Sequence, residues 1–351
     1  MKPDYAELDE LLRALAPYGP DLRNGNTNHA PMAVEALCAL GRGDAALCWL
    51  EHYRAQLLPM PERRERITEA DWRLALGRSE RAGDWTEFFR EQLTSAPWRT
   101  VVDRWVGRLA PALCASAAHG VIRVGHAVRA LAHGETPERV RELAGAFASW
   151  AFAYQVLPTA SAAGARAFPA REAIARVPVV PPERRRFSGT IVSALEGLDA
   201  FPEFAPAIDL LELEPDPAAQ LADLTELFAR VYLANAHDQL TCIVFVHGVT
   251  SVTALGHLLP CLSQAHQRAG MRFAWQTGAA LYAAFGRALP AREVDPPKHS
   301  PETLAARAVA HGDEHAIKLA EACIARNAIR PDPAYLAAVE SALALLPPAP
   351  H

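Results

Sequence analysis

Apolar residues recur every three or four positions along almost the whole chain, which is the spacing of an amphipathic helix. Between Asp4 and Leu15, for example, leucine occupies positions 8, 11, 12 and 15. Alternating apolar and polar positions, which would indicate strands, do not form a series, and no strand–helix–strand repeat is found. The pattern therefore predicts an all-α protein and argues against a Rossmann sheet or a TIM barrel.

The helical pattern continues along the chain and is divided by turn residues. The predicted helices are 4–15, 30–40, 44–58, 71–76, 84–92, 99–109, 112–132, 137–156, 162–175, 188–195, 206–211, 218–235, 239–258, 262–269, 271–289, 301–310, 314–328 and 333–346. Two proline-rich segments, 177–185 and 290–297, are connectors. The first could join two helical halves, but candidate ligands lie on both sides of it. We therefore predict one all-helical domain over residues 1–351 that encloses a central metal and substrate cavity.

With 351 residues, half of them hydrophobic, the chain is long enough for one large core or two smaller ones. A formal net charge of −5 gives no electrostatic footprint for nucleic acid. Six cysteines are scattered without a Cys-x-x-Cys pair, which is typical of a reducing compartment. Because the N-terminus has no apolar segment, a cytoplasmic protein is expected.

The most hydrophobic stretch, residues 241–260, contains His247, Ser251 and His257 together with three threonines. A membrane helix rarely carries so many polar groups. We interpret the stretch as a buried helix with a functional face, in a protein that has no membrane partner.

Lys318 is one of only three lysines among 35 basic residues, the others being arginines. At helical spacing it shares a face with His311 and His315, and that face continues through apolar residues, so it is predicted to point inward. Burial drives a lysine toward the neutral amine. A neutral amine beside histidines can act as a base, form a Schiff base, or add carbon dioxide to give a carbamate that ligates a metal.

Three other segments place histidines, of which the chain has 13, in unusual surroundings. Asn28 is a good helix N-cap that would hold His29 at the mouth of a helix, although an exposed turn residue is the alternative. His119 and His126 are seven residues apart and could share a helix face with Arg123 between them, or be core histidines. His247 lies in an apolar run where an unpaired polar group costs about 1–3 kcal/mol, so a metal or a backbone carbonyl is expected as its partner.

Imidazole-rich sites suit zinc, copper, iron and nickel. Helical bundles assemble metal sites from side chains on facing helices, although the Glu-x-x-His signature of di-iron bundles and the His-Glu-x-x-His of zincins are missing. The residues favour a mononuclear metal site, with scattered structural histidines as the competing interpretation.

Four short segments, taken in order, resemble the successive motifs of the questin oxidase-like family. They are Asn28-His29…Pro31-Met32, His119-Gly-Val-Ile-Arg123…Gly125-His126-Ala, His247-Gly-Val-Thr250-Ser251 and His315-Ala-Ile-Lys318-Leu. The resemblance runs from about residue 20 to residue 330. Fungal members of that family act on anthraquinones and related polyketides.

This resemblance implies an all-helical fold and an oxidative ring opening of an aromatic polyketide, by a Baeyer–Villiger oxidation or a non-haem-iron dioxygenation. It also implies an iron held by four histidines and a carboxylated lysine. Matched motif by motif, His29, His119, His247 and His315 fall at the histidine positions and Lys318 at the modified lysine. Fe(II), dioxygen and a small aromatic substrate are therefore expected, with NADPH as a candidate external reductant.

Lys318, His126 and Arg123 are the candidate catalytic residues. Two of them depart from the fungal pattern, since Arg123 stands where those enzymes tend to carry a histidine and His126 where they tend to carry an aromatic residue. The chain is also shorter than the fungal enzymes. The oligomeric state is left open.

Other classes of protein compete with the oxygenase. A flavin or nicotinamide enzyme is disfavoured because the nearest phosphate-binding pattern, Gly41–Ala46, follows a helix rather than a strand and is predicted to be a helix–helix turn. A hydrolase with a carbamylated lysine and a helical ligand-binding protein without catalysis are the two remaining alternatives. A Gly-x-Ser-x-Gly nucleophile elbow is not found.

Overall fold

The structure, a computed structural model, describes residues 2–160 and 166–349 of the chain. Within these residues the chain forms sixteen α-helices, several short 3₁₀ turns and one two-stranded sheet, which confirms the predicted all-α class. The α-helices are α1 (Leu8–Leu15), α2 (Ala30–Ala39), α3 (Gly43–Tyr53), α4 (Trp72–Ala75), α5 (Ala82–Ser95), α6 (Trp98–Leu109), α7 (His119–His133), α8 (Pro137–Phe152), α9 (Ala170–Ile174), α10 (Ile191–Glu196), α11 (Pro217–Asn235), α12 (Gln239–Leu258), α13 (Gln264–Phe285), α14 (Pro301–His311), α15 (Glu314–Ile329) and α16 (Pro333–Leu345).

Helix α12 forms the centre of the molecule. It packs against α7, α11, α13 and α15, and α2 in turn packs against both α7 and α15. By length and composition alone, Gln239–Cys261 could cross a membrane, but 78% of its most apolar window is buried inside the protein. The predicted buried helix is therefore found, and helices from both sides of the proline-rich connector pack on it.

Close approach of α7 and α12 depends on Gly125. A Cβ atom at this position would lie 2.7 Å from both the Cβ and the carbonyl oxygen of Ala254. Because real Cβ atoms do not approach so closely, any larger residue would push the two helices apart. The pairing places the first turn of α7 beside the middle of α12.

A short two-stranded antiparallel sheet, which the sequence pattern did not predict, pairs β1 (Tyr18–Leu22) with β2 (Leu57–Pro59), and α2 and α3 lie between the two strands in the sequence. Its strands are short and include Pro20, so they lack the alternation that indicates a strand. Strand β1 also fixes the segment that leads into α2, because the Asn28 amide donates to Pro20 O over 2.7 Å and Asn28 Nδ2 donates to Gly19 O over 2.8 Å.

Several predicted helix boundaries are wrong. The two helices predicted over 262–269 and 271–289 are one continuous helix, α13, and segment 206–211 lies in the 3₁₀ helix Pro202–Asp209. The helix predicted over 162–175 begins in residues that lie outside the described part of the chain, and α9 covers only its end. The turn predicted between α2 and α3 is confirmed, with Gly41 at a φ of 72°.

The predicted helix 112–132 is interrupted by a left-handed turn. Three consecutive residues, Ser116, Ala117 and Ala118, have φ angles of 48°, 56° and 70°, and α7 begins only at His119. An L residue in this region costs roughly 1–2 kcal/mol, and the sequence Ser-Ala-Ala gives no sign of it. Such strain persists only where the surrounding structure enforces it, and it is found more often at functional sites.

We expect Ser116→Gly to raise the free energy of unfolding by up to about 1 kcal/mol, because glycine adopts a positive φ without steric cost. Ala132→Gly, in the last turn of α7, is the matched control and should lower that free energy by about 1 kcal/mol. Urea unfolding of both variants measures the difference. An equal loss of stability in the two would contradict the left-handed turn.

Candidate metal centre

Four histidines that are far apart in the sequence come together where α2, α7, α12 and α15 meet. His29 immediately precedes α2, His119 is the first residue of α7, His247 lies in the middle of α12, and His315 is in the first turn of α15. His119 Nε2 lies 2.7 Å from His29 Nε2 and 3.1 Å from His247 Nε2. The His29 and His315 ring centroids are 4.7 Å apart. All four side chains are buried.

The other ring nitrogen of three of these histidines is held by an oxygen acceptor. His119 Nδ1 contacts Ser116 O, His247 Nδ1 lies 2.7 Å from Ile243 O, and His29 Nδ1 lies 3.1 Å from Glu314 Oε1. A carbonyl or carboxylate oxygen can only accept, so each Nδ1 carries the proton. In the neutral imidazole the Nε2 atoms then have lone pairs, and these lone pairs face one another.

Local structure in the chain sets each of these positions. The N-cap residue of α2 is His29 rather than the predicted Asn28, but Asn28 Oδ1 accepts from the Ala30 amide over 2.9 Å and so holds His29 at the start of the helix. The left-handed turn at Ser116–Ala118 brings the Ser116 carbonyl onto the His119 ring. Asp313 caps α15 by accepting from the amides of His315 and Ala316.

His311 does not share the face of His315 and Lys318, which corrects the predicted stripe. Helix α14 ends at His311, and Gly312 follows with a φ of 76°, so a new helix begins at Glu314. His311 Nε2 instead lies 3.1 Å from Leu346 O. Only the spacing from His315 to Lys318 is helical.

Lys318 is 1% exposed, and its Nζ has no hydrogen-bond partner among the described residues. Because long helical side chains lean toward the N-terminus of their helix, its stem reaches back toward the level of His315. Burial lowers the pKa of Lys318 to about 8, although the carboxylates of Glu314 and Asp313 oppose the shift. His315 Nδ1 is likewise buried without a partner in the described part of the chain.

Burial also keeps three of the histidines neutral. Desolvation holds the pKa of His29, His119 and His247 well below the usual value, and the neighbouring imidazoles and Lys318 act in the same direction. Neutral imidazoles are the form that binds a metal. These three rings therefore carry no positive charge, and their lone pairs are available to a cation.

The donor set fits a metal ion. One ligand atom from each of His29, His119 and His315 lies within 4.8 Å of the other two, and His247 joins the group through His119. Facing lone pairs and two unpartnered buried nitrogens are costly, and a bound cation would satisfy them. The predicted central cavity is not shown, because the imidazoles are nearly in contact with one another.

Arg123 and His126 lie on α7, but their hydrogen bonds lead away from this cluster. Arg123 forms a bidentate ion pair with Glu142 and donates to Ser149 Oγ over 2.9 Å. His126 Nδ1 lies 2.6 Å from Glu35 Oε2. Both side chains have complete structural roles, and their predicted catalytic role stays a prediction.

His126 belongs to a second buried polar layer formed by the same four helices. Glu35 of α2, Arg129 of α7, His257 of α12 and Glu321 of α15 meet there, and Arg129 is at their centre. The Arg129 guanidinium donates to Glu35 over 2.8 Å and also contacts Glu321. Burial alone would raise the pKa of Glu35, but Arg129 outweighs it and holds that pKa well below its usual range.

Sequence reasoning identified the four histidines and Lys318 but missed most of the groups that hold them in position. Glu314, which directly precedes His315, is one such supporting group, since its carboxylate orients the His29 imidazole. The Arg129 layer had not been recognised. A signal was present, since Glu35 is the only charged residue in α2.

The fold and this cluster define an all-α protein with a candidate metal centre built mainly from imidazoles. A model of the Questin oxidase-like family matches residues 26–323, a span that contains all four histidines and Lys318. The chain belongs to the Questin oxidase-like family. Among curated proteins, none matches it. Family membership supports an oxidoreductase that acts on a small molecule.

We expect Arg129→Met to lower the free energy of unfolding by about 3–5 kcal/mol, because it leaves two buried carboxylates without their cation. Arg13→Met is the matched control, since Arg13 pairs with Glu138 at the surface and its side chain is 63% exposed. That loss should stay below about 1 kcal/mol. Similar losses in the two variants, measured by denaturant unfolding, would contradict the role given to the layer.

Glu314→Ala should weaken divalent metal binding by about 10–100-fold, because His29 loses the acceptor that orients its ring. Glu314→Gln retains an acceptor oxygen and should lose less. The control is Glu302→Ala, which changes an exposed glutamate in the first turn of α14. Competition with a chelator measures the affinities, and an unchanged affinity in Glu314→Ala would refute the orienting role.

Proposed function

We propose that the protein is a non-haem-iron oxygenase that opens a ring of an anthraquinone-type aromatic polyketide with dioxygen as the oxidant. The observation that carries the proposal is the convergence of four buried imidazoles on one point beside an unpartnered buried lysine. Family membership supports the oxidative chemistry and the class of substrate.

His29, His119, His247, His315 and Lys318 are the residues that would hold the metal. Imidazole ligands suit several transition metals, of which iron, when bound, supplies the one-electron chemistry that lets dioxygen react with a closed-shell aromatic molecule. Zinc would suit the same nitrogens but is not redox-active, and it would indicate a hydrolase with a carbamylated lysine instead.

Lys318 would enter the site as a carbamate. Its neutral amine adds to the carbon of carbon dioxide, an N–C bond forms, and one amine proton leaves to solvent, so that a single negative charge results. Two observations support this: burial lowers the pKa of Lys318 to about 8, which gives a larger fraction of neutral amine than an exposed lysine has, and Nζ has no partner among the described residues. An arginine could not replace it, because a guanidinium does not form the carbamate.

The protein's own contribution is to fix and shield the imidazoles. Ser116 O, Ile243 O and Glu314 each hold an Nδ1 proton and so direct the corresponding Nε2 inward. The packed helices exclude water from these nitrogens, which keeps the imidazoles neutral and strengthens their interaction with a cation.

The need for a reductant follows from the balance of the reaction. Insertion of one oxygen atom next to a carbonyl, with the second leaving as water, consumes two electrons and two protons. NADPH would supply both electrons and one proton as a hydride, and solvent would supply the other proton. Incorporation of both oxygen atoms into the product needs no external electrons. Oxygen uptake measured with and without NADPH therefore distinguishes the two kinds of ring opening.

We expect protein purified without added metal to contain iron in an equimolar amount, and Lys318→Ala and Lys318→Arg to lose both iron and oxygen consumption with a hydroxyanthraquinone. Lys298→Ala is the matched control because Lys298 is exposed. Elemental analysis measures the metal, and carbon-13 NMR after incubation with labelled bicarbonate detects the carbamate. A Lys318→Ala protein with full iron content and activity would remove the lysine from the site.

A further inference from the structure

A cleft of about 360 Å³ opens beside the histidine cluster, between α3, the turn that joins α14 to α15, and the C-terminal segment. This volume is within the range of small-molecule sites. The lining residues that matter here are Trp49, Tyr53, Gln56, Asp313, Glu314 and Pro347.

Two residues at the inner end of the cleft form hydrogen bonds with His29. The Tyr53 hydroxyl accepts from the His29 amide over 3.1 Å, and Glu314 Oε1 lies 3.1 Å from His29 Nδ1. Both Tyr53 and Glu314 also line the cleft. A molecule bound there would therefore touch the groups that position a candidate metal ligand.

One wall of the cleft is flat, aromatic and fixed in place. The Trp49 and Tyr53 rings are stacked, with centroids 4.7 Å apart and planes 20° apart. Trp49 Nε1 donates to Gly312 O over 2.7 Å, which ties α3 to the turn before α15. A planar ring system could stack on this wall without reordering it.

The carboxylates of Asp313 and Glu314 dominate the charge of the cleft. No lysine or arginine is among the residues that line it in the described part of the chain, and His52 is the one lining imidazole. A carboxylate accepts several hydrogen bonds, so Glu314 can accept from a ligand hydroxyl while it also bonds to His29. A phosphate, sulfonate or carboxylate would meet like charge from two carboxylates and no lysine or arginine partner.

We propose that this cleft binds a planar hydroxyaromatic molecule, with its rings against Trp49 and a hydroxyl donating to Glu314, and that it selects neutral over anionic ring systems. The inference rests on the proposed function only for the class of substrate. It also implies that the phosphates of a dinucleotide are not accepted in this cleft.

The test uses two probes with the same three rings, 1,8-dihydroxyanthraquinone and anthraquinone-2-sulfonate, titrated into the full chain by equilibrium dialysis at pH 6.5. The neutral probe should bind at least about ten-fold more tightly than the sulfonate. Trp49→Ala should weaken binding of the neutral probe by about ten-fold and Trp49→Phe by much less, because phenylalanine retains an aromatic face.

A second variant should bind the sulfonate probe more tightly, and a folding defect cannot cause such a gain in affinity. Gln56→Arg places a cation at the exposed edge of the cleft and should strengthen sulfonate binding by about five-fold, with little change for the neutral probe. Leu47→Arg adds the same charge to an exposed position of α3 outside the cleft and should have no such effect. Equal affinity for the two probes, or no change in any of these variants, would overturn the proposal.

Repeating the titrations after treatment with a chelator separates this inference from the metal centre. None of the five residues proposed to hold iron lines the cleft, so the neutral probe should still bind and still depend on Trp49. If the neutral probe depends on Trp49 in a protein that never binds iron, the proposed ligand site is supported and the oxygenase proposal fails. If iron binds but the affinity for the probes does not change in the Trp49 variants, the oxygenase proposal is supported and the proposed ligand site is refuted.

Discussion

One constraint governs the structure: four buried imidazoles lie together, and each of their ring nitrogens needs a hydrogen-bond partner or a bound ion. Each unsatisfied buried nitrogen costs about 1–3 kcal/mol. For His29, His119 and His247 the fold satisfies Nδ1 with a fixed oxygen, and this leaves Nε2 directed at the others. The strained turn before α7 belongs to this solution, since it supplies one of those oxygens. The remaining Nε2 atoms are best satisfied by a shared cation.

The same four helices form two polar layers, and the contrast between them is informative. In the second layer, the Arg129 guanidinium stands between the Glu35 and Glu321 carboxylates and hydrogen-bonds to both, so these buried groups have partners within the chain. In the histidine layer, Lys318 Nζ and His315 Nδ1 have no hydrogen-bond partner among the described residues. The Arg129 layer has hydrogen-bond partners within the chain and needs no ligand. The histidine layer has unpartnered nitrogens, which is what is expected of a ligand-binding site. The Arg129 layer also fixes the helices that carry the histidine layer.

Helical periodicity was sufficient to predict the fold class. The residues that meet at the cluster were predicted from the unusual contexts of the histidines and Lys318 together with the resemblance to the questin oxidase-like family. The details that depend on backbone geometry were not predictable. Nothing in Ser116-Ala117-Ala118 indicates a left-handed turn, because small residues also suit a helix. Gly312 breaks a pattern that is otherwise helical, and so His311 was placed on the wrong face.

Arg123 and His126 show a second limit of sequence reasoning. Polar residues on an apolar helix face can serve a ligand or a distant ionic partner, and their spacing is the same in both cases. Their partners, Glu142 and Glu35, are 19 and 91 residues away, and only the packing of α7 against α8 and α2 brings them into contact. A buried charge therefore predicts that a partner exists without indicating whether it is a ligand or a side chain.

Charge balance offers a reason why Lys318 and Glu314 both lie close to the histidines. Three of the histidines are neutral, so by themselves they would leave a buried divalent cation with its full charge, which is costly in a medium of low polarity. Glu314, hydrogen-bonded to His29, contributes one negative charge at the edge of the cluster. A carbamate on Lys318 would contribute a second, and the two together would neutralise the ion. A protonated lysine would instead add to the positive charge, so under the proposed function the carbamate, rather than the amine itself, would balance the charge of the ion.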